Sequence, residues 1–431
     1  MRLPLLYRRR WWLLYLPIAA LIVSAIAWAA TVWKPLPPRM LTFGVGPAES
    51  SYLRLAQVYA SRLERMGIKV EIVTNPRPQD ALERLMRPGD PVDAAFAQGL
   101  YARDARDVQA LAAVGHEIVW VFARQDIASM SQLRGARIAA AAPGSSNRLA
   151  AELLLSHLRI RPSEVSFDPL VGDSAIQALA EGRVQAVVHV ATGESVTAAT
   201  LARLDGVHLL AVERTGALSA REPRLRPVVI PQGSIELRSD IPGSDIAAVA
   251  TQTQLLVRPG LHPALQRVLL DVAGEVHSVT GFLERQGQFP TTRGLDFPAS
   301  EVALQTSLGA RPWLETLLPY RTAQLAELLL YAVLPLCLGG LLLAQRVPRF
   351  IEWRVNGALQ HFYGELKFLE TDMTRIATND PIALRWVVTR LDALEQQVST
   401  MDLPDRYADR WYTLRAHLVD ARERLLRLRA R

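Results

Sequence analysis

Two polar turns in the sequence combine the residue types that bind an anion. Residues 50–52 read Ser-Ser-Tyr, residues 145–147 read Ser-Ser-Asn, and each turn precedes the apolar periodicity of a predicted helix. A helix start presents unpaired N–H groups and the positive end of the helix dipole, and hydroxyl or amide side chains add further donors. The pattern therefore suits a carboxylate. Ser and Asn are also the preferred helix N-caps, and simple capping accounts equally well for both turns.

Two further polar positions follow predicted strands. Gln98 lies at the end of the predicted strand at 93–96, and residues 192–195 (Thr-Gly-Glu-Ser) follow another predicted strand. Turns beyond the carboxyl ends of strands are where open α/β sheets bind ligands. Both positions are therefore candidates for the same ligand-binding site as the two turns.

Catalytic signatures are incomplete in this sequence. The Gly44-Val45-Gly46 turn lacks the third glycine of a dinucleotide fingerprint, because Glu49 stands in its place. Residues 143–146 are not followed by the Lys of a P-loop, and no G-x-S-x-G nucleophile elbow occurs. The eight His residues show no H-x-x-x-H spacing, and the single Cys has no partner. We predict no catalytic residue, no metal, no cofactor and no enzymatic activity.

The elements that must position these turns alternate between strand and helix. Predicted strands at 40–45, 69–73 and 93–96 are separated by helical patterns, and a similar series begins after residue 123. This alternation is typical of the α/β class with a mostly parallel sheet. Two successive units predict two lobes with a cleft between them. We expect one solute-binding domain over 39–320, with lobe 1 at 39–124 and 225–320 and lobe 2 at 125–224.

Two apolar runs flank this domain, at 11–33 and 325–344. Each is long enough to cross a bilayer, Trp residues border the first, and Arg residues adjoin both. The positive-inside rule then places both termini, including the basic segment 1–10, in the cytoplasm of a bacterium, with the domain outside its inner membrane. A cleaved signal peptide is the alternative for the first run, and a buried core helix is the alternative for the second.

The segment 345–431 has apolar residues at heptad spacing in three stretches, separated near Asn379-Asp380-Pro381 and Leu403-Pro404-Asp405. This predicts a cytoplasmic all-α tail that either packs on itself as a bundle or serves self-association or partner docking. The net charge of +7 comes with no basic cluster interleaved with aromatic residues, so no nucleic-acid partner is predicted.

The order of motifs resembles the TAXI group of solute receptors for TRAP (tripartite ATP-independent periplasmic) transporters. The resemblance lies in LTFGVGPAESSYLRLAQVYASRL, VEIVTNPRPQDALERL, PVDAAFAQGL, SQLRGARIAAAAPGSSNRLAAELLL and AIQALAEGRVQAVV. The later stretches HPALQRVLLDVAGEVH, GQFP, DFPAS and ARPWLETLLPY look like the membrane-attached branch of that family. The resemblance covers nearly the whole exported segment and implies a type II periplasmic-binding fold.

It further implies a receptor that closes two lobes on a small organic anion, a carboxylate or an amino acid, and that serves the membrane subunits of a TRAP transporter. The ligand contacts it implies are Ser50, Ser51, Tyr52, Asn75, Gln98, Ser145, Ser146 and Asn147. The sequence departs from the family at Glu49 and at 77–80, so the ligand or the pocket is expected to differ. A sensor that signals through the helical tail is the second hypothesis, and a hydrolase is the third.

Overall fold

A computed structural model describes residues 12–33, 36–47, 50–102, 105, 107–375, 381–401, 403 and 407–429. The chain forms two compact units: residues 36–323 make one, and the residues up to 35 together with 324–431 make the other. The predicted basic segment 1–10, Glu49, and the predicted breaks at 379–380 and 404–405 lie outside the described residues.

Ten strands form one sheet in the unit of residues 36–323. They are β1 (Met40–Val45), β2 (Lys69–Thr74), β3 (Ala94–Gln98), β4 (Gln109–Arg124), β5 (Arg137–Ala139), β6 (Ser166–Asp168), β7 (Ala186–Ala191), β8 (Val207–Leu209), β9 (Arg226–Ile230) and β10 (Ile246–Val257).

Helices are described in both units. They are α1 (Trp12–Trp33), α2 (Ser51–Arg65), α3 (Pro78–Met86), α4 (Ser146–His157), α5 (Gly172–Ala180), α6 (Val196–Ala202), α7 (Thr215–Arg221), α8 (Pro263–His277), α9 (Glu301–Ser307), α10 (Trp313–Leu317), α11 (Tyr320–Leu328), α12 (Leu334–Arg375), α13 (Pro381–Ser399) and α14 (Ala408–Arg429).

The sheet is mixed, which corrects the prediction of a mostly parallel sheet. Its main order is β2-β1-β3-β10-β4-β7-β5-β6, with β9 beside β10 and β8 beside β4. The pairs within β1–β3 and within β5–β7 are parallel, whereas β10 is antiparallel to β3 and β4, and β4 is antiparallel to β7. The antiparallel pairs arise because β4 leaves one parallel group and β10 returns to it.

The two long strands join two lobes, each with its own core. The first lobe packs α2 and α8 on β1 and β3, and the early part of β4 joins this core through Leu111 and Val114. The second lobe contains β5, β7, α4 and α5, and the later part of β4 joins it through Val119 and Trp120. Val249 of β10 also lies in the second core, so the chain returns to the first lobe beyond residue 249. β4 contributes side chains to both cores, and β10 does so too, while the lobe boundaries at 124 and 225 stay a prediction.

Local sequence explains how the first lobe positions the turn at residues 50–52. The predicted strand Met40–Val45 is confirmed with the same bounds, and all but its first residue are buried. A parallel strand that is covered on both faces reads as a continuous apolar run of this kind. Ser50 then caps α2, since its side chain accepts a hydrogen bond from Leu53 N. The buried face of α2, which includes Ala56, Tyr59 and Leu63, fixes the helix on the sheet.

The other unit is helical where the structure describes it. α11 is followed by a π-helical turn, Leu329–Val333, and then by the 42-residue α12. Pro335, at the start of α12, cannot donate a backbone hydrogen bond, and a π-turn is a common accommodation at such a site. α12, α13 and α14 share an apolar cluster that includes Leu366, Leu391 and Leu418. The chain thus has no helical break at residue 345, where the sequence placed the start of the tail.

Candidate ligand-binding cleft

The crossing strands place one carboxylate between the two lobes. Glu117 of β4 lies opposite Thr251 of β10, and Thr253 is two residues further along the same strand. Side chains two residues apart on a strand share a face of the sheet. Glu117 and Thr253 therefore project together, and the Glu117 side chain is almost fully buried, with 4% of the residue exposed.

Three neutral donors surround the Glu117 carboxylate. The Tyr52 hydroxyl, from the first turn of α2, donates to Oε1 at 2.5 Å. The Thr253 hydroxyl donates to the same oxygen at 2.5 Å, and Nε2 of Gln98 donates to Oε2. The start of α2, the end of β3 and both crossing strands thus meet at one carboxylate.

Burial and hydrogen bonding act in opposite directions on this group. Burial raises the pKa of Glu117, while the hydrogen bonds from Thr253, Tyr52 and Gln98 lower it. Burial and the charge of Glu117 also raise the pKa of Tyr52, so its hydroxyl stays a donor at neutral pH. The carboxylate is compensated by neutral dipoles and by no cation among these partners.

The structure brings together some of the residues predicted from the sequence. Tyr52 and Gln98 both contact Glu117, and Ser51 lines the adjoining cavity. Ser146, at the start of α4, lies against the side chain of Tyr101. Burial raises the pKa of Tyr101 to about 12.

The other predicted residues are engaged in holding the fold. Ser50 and Ser145 cap α2 and α4, accepting from Leu53 N and Arg148 N at 3.3 Å in each case. Asn75 donates to the carbonyl oxygen of Val45 at 2.8 Å, and Asn147 accepts from Val190 N at 2.9 Å. Their polar atoms are thus used by the protein itself, and the capping alternative describes these two serines.

A cavity of about 270 Å³ opens beside Glu117. Its walls come from the start of α2, from the crossing strands, from the loop after β7 and from the loop after α8. Thr192, Gly193 and Glu194, three residues of the candidate turn after β7, line it. The fourth, Ser195, instead caps α6 and contacts His189 Nε2 at 3.0 Å.

The described residues that line this cavity carry negative charge. They include Glu117, Glu194 and Glu284, and none of them is Lys or Arg. Burial raises the pKa of Glu284, and the nearby charge of Glu194 raises it further. Burial lowers the pKa of His116 and of His277 to about 4, so both rings are neutral at neutral pH.

The loop after α8 closes one side of the cavity. Glu284 accepts a hydrogen bond from the backbone N–H of His116 at 2.7 Å. Phe282 packs with the second-lobe cluster, 6.2 Å from Trp120 between ring centroids. A Cβ atom at position 193 would overlap the Phe282 ring, so only glycine fits this close approach. The loop therefore ties the end of α8 to the second lobe.

Two contacts hold the lobes together away from the cavity. Arg226 of β9 pairs with Asp296 through two hydrogen bonds of 3.0 and 3.2 Å. Burial raises the pKa of Asp296, and the pairing with Arg226 opposes this rise. Leu100, just after β3, is buried in the second-lobe cluster, and Arg224 donates to its carbonyl oxygen at 2.8 Å.

Sequence reasoning missed the residues that form the centre of the site. Glu117, Thr253, Phe282 and Glu284 were not candidates, and β4 itself was not predicted. The available signal was a lone acidic residue inside the apolar run Gln109–Arg124. A carboxylate is rarely buried unless it has hydrogen-bonding partners, so such a residue marks a polar contact.

Residues 89–269 match the model of the NMT1-like family. This segment contains β4, β10 and the strands and helices of the second lobe. Among curated proteins, none matches the chain significantly in sequence. The narrower TAXI assignment stays a prediction.

Solved structures of periplasmic binding proteins are similar to this chain over most of their own length. The periplasmic aliphatic sulphonate binding protein SsuA of Escherichia coli aligns with 64% of this chain and 84% of its own, at 14% identity and a TM-score of 0.39. The alkanesulfonate-binding protein SsuA of Xanthomonas axonopodis pv. citri, bound to MOPS, aligns with 64% of this chain and 85% of its own, at 17% identity and a TM-score of 0.36. A TctC solute binding protein of Polaromonas aligns with 58% of this chain and 92% of its own, at 15% identity and a TM-score of 0.36.

Proposed function

We propose that this chain is a membrane-anchored receptor whose unit of residues 36–323 binds a small organic solute outside the cytoplasm. The observation that carries the proposal is the cavity of about 270 Å³ between the lobes, beside Glu117. Its polar groups come from both lobes and from the strands that join them, as expected for a site that closes on a ligand. The proposed role is binding without chemical turnover.

Exposed apolar helices support the membrane anchor. The helical segment Tyr320–Arg346 contains an 18-residue apolar window with a mean hydropathy of 2.1, and only 11% of that window is buried. A core helix of a soluble protein buries its leucines, whereas Leu329, Leu338 and Leu342 are each more than half exposed. Lipid would cover this surface. α1 carries exposed apolar residues too, and we propose it as the second span.

Flanking charge supports the proposed orientation. Arg346, Arg349 and Arg354 follow the apolar window, and Arg8 to Arg10 precede α1. By the positive-inside rule, both termini lie in the cytoplasm and the binding unit lies outside the inner membrane. A receptor fixed in this way would serve a fixed neighbour, and the membrane subunits of a TRAP-type carrier are the proposed partner.

A ligand sensor is the second candidate, because one helix connects the proposed span to the tail. α12 continues without interruption from Leu334 to Arg375 and enters the cluster shared with α13 and α14. A displacement of the span would therefore be transmitted to the tail helices. Sensing requires that ligand binding favours one of two arrangements of this helix.

A blocked cavity tests the binding proposal in the full-length chain. Ser51 lines the cavity on the first turn of α2, and Ser61 is an exposed residue of the same helix. We expect a solute from a panel of small amines, amino acids and carboxylates to raise the Tm of the detergent-solubilised protein by mass action. Ser51→Trp should abolish the shift, whereas Ser61→Trp should retain it.

Either of two results would count against the receptor. If no compound changes the Tm of a protein that melts in a single transition, the solute-binding role loses its support. If the shift survives in Ser51→Trp, the solute binds elsewhere and the cleft assignment fails.

A further inference from the structure

The carboxylate position of the cleft is already filled by the protein. Tyr52 and Gln98, two residues predicted to hold an organic anion, donate instead to the side chain of Glu117. Thr253 supplies the third donor. These donors have satisfied a carboxylate before any solute enters, and the remaining cavity lies beyond that carboxylate.

The charge of the remaining cavity is unsuited to an anion. Glu194 and Glu284 line it together with Glu117, and the two histidines on its wall are neutral at neutral pH. No Lys or Arg belongs to the lining where the structure describes it. A carboxylate solute would meet the carboxyl groups of three glutamates and no Lys or Arg, which is unfavourable for an anion.

We propose that this cavity binds a small organic cation through an ammonium group. The inference rests on the proposed receptor function and names its ligand class. An ammonium has three donors and no acceptor, which matches the carboxyl groups of Glu117, Glu194 and Glu284 in the lining. The rings of Tyr52 and Phe282 supply aromatic walls that attract a cation. A metal ion fits less well, because no three His, Cys, Asp or Glu side chains group closely enough to hold one in the described part of the chain.

The test compares probes of equal size and different charge on the full-length protein. n-Butylammonium, n-butanol and n-butyrate are titrated at one ionic strength, and binding is followed by the Tm. We expect n-butylammonium to bind at least tenfold more tightly than either of the others. Glu284→Gln should weaken the binding of n-butylammonium at least fivefold. Glu194→Gln, at an exposed position, should also weaken it. Glu64→Gln, on the exposed surface of α2, is the control and should bind as the wild type does.

The outcomes separate this inference from the receptor function. If n-butyrate binds more tightly than n-butylammonium, the cation inference is overturned and the receptor proposal stands. If none of the three probes binds, the inference is overturned as well. The receptor proposal then depends only on the wider solute panel and the Ser51→Trp variant. Equal binding of n-butylammonium to Glu284→Gln, Glu194→Gln and wild type would also overturn the cation inference.

Discussion

The Tyr52 hydroxyl donates a 2.5 Å hydrogen bond to the carboxylate of Glu117, a residue 65 positions later in the chain. The bond joins the first turn of a helix in the first lobe to a strand that belongs to both lobes. It places a buried negative charge at the floor of the cleft and gives it a neutral donor. This relationship determines what else the cleft can bind.

Removal of this donor should destabilise the protein. Tyr52→Phe leaves the Glu117 carboxylate with fewer donors in a buried site, and hydrogen bonds to charged groups contribute about 1.5–3 kcal/mol. We expect a Tm decrease of roughly 2 °C or more for each kcal/mol in a unit of this size.

Tyr59→Phe is the matched control on the same helix. The Tyr59 hydroxyl is buried and has no hydrogen-bonding partner among the described residues, so its removal should be neutral or stabilising. Equal Tm changes in the two variants would contradict the role assigned to Tyr52.

Replacement of Glu117 should change the pH dependence of stability. Burial raises the pKa of Glu117 in the folded state, so folding favours the protonated carboxyl. Its contribution is fully present below the unfolded pKa, near the ordinary value of 4.5, and is lost as the pH rises through the folded pKa. Glu117→Gln cannot titrate, so the Tm of the variant minus the Tm of the wild type should increase with pH across this interval.

The comparison between variant and wild type isolates this one group. Burial also raises the pKa values of Glu284 and Asp296, and these groups titrate in both proteins. Their effects cancel in the difference. A Tm difference that stays constant from pH 4 to pH 8 would show that Glu117 has no raised pKa.

The ion pair between Arg226 and Asp296 should matter more than a surface pair of equal length. Asp296 has only 4% of its side chain exposed, so Arg226→Ala leaves a buried carboxylate without its cation. The expected cost is about 3 kcal/mol. Arg203 and Glu236 form a pair of the same 3.0 Å length with side chains 52% and 31% exposed. Arg203→Ala should cost at most about 1 kcal/mol. Similar Tm decreases in Arg226→Ala and Arg203→Ala would contradict the role of Arg226 in holding the lobes together.

Local patterns were sufficient to predict the elements of the first lobe. The strands Met40–Val45 and Lys69–Thr74 appear in the structure at or near their predicted bounds. Each is a short strand-forming run that is followed by a turn signal. Tyr52 and Gln98 could be singled out because they sit at the end of a predicted element, where polar residues face a cleft.

The centre of the site depends on contacts that no local pattern contains. Glu117 pairs with Tyr52 and Thr253, which are 65 and 136 residues away in sequence. β4 was missed because it is unusually long and passes from one core to another, so its apolar run does not follow the strand–helix alternation around it. Asn75 and Asn147 look like ligand contacts in sequence, yet each is bonded to the backbone of a neighbouring element.

The most direct test of the account is a chemical rescue of Glu117→Ala in the full-length protein. The central claim is that the donors of Tyr52, Thr253 and Gln98 form a carboxylate site that Glu117 occupies. Glu117→Ala vacates that site, so sodium acetate should raise the Tm of the variant by mass action and leave wild type unchanged relative to sodium chloride at equal ionic strength. If acetate has no specific effect on a variant that still melts in a single transition, the cleft is not a carboxylate site and the account fails.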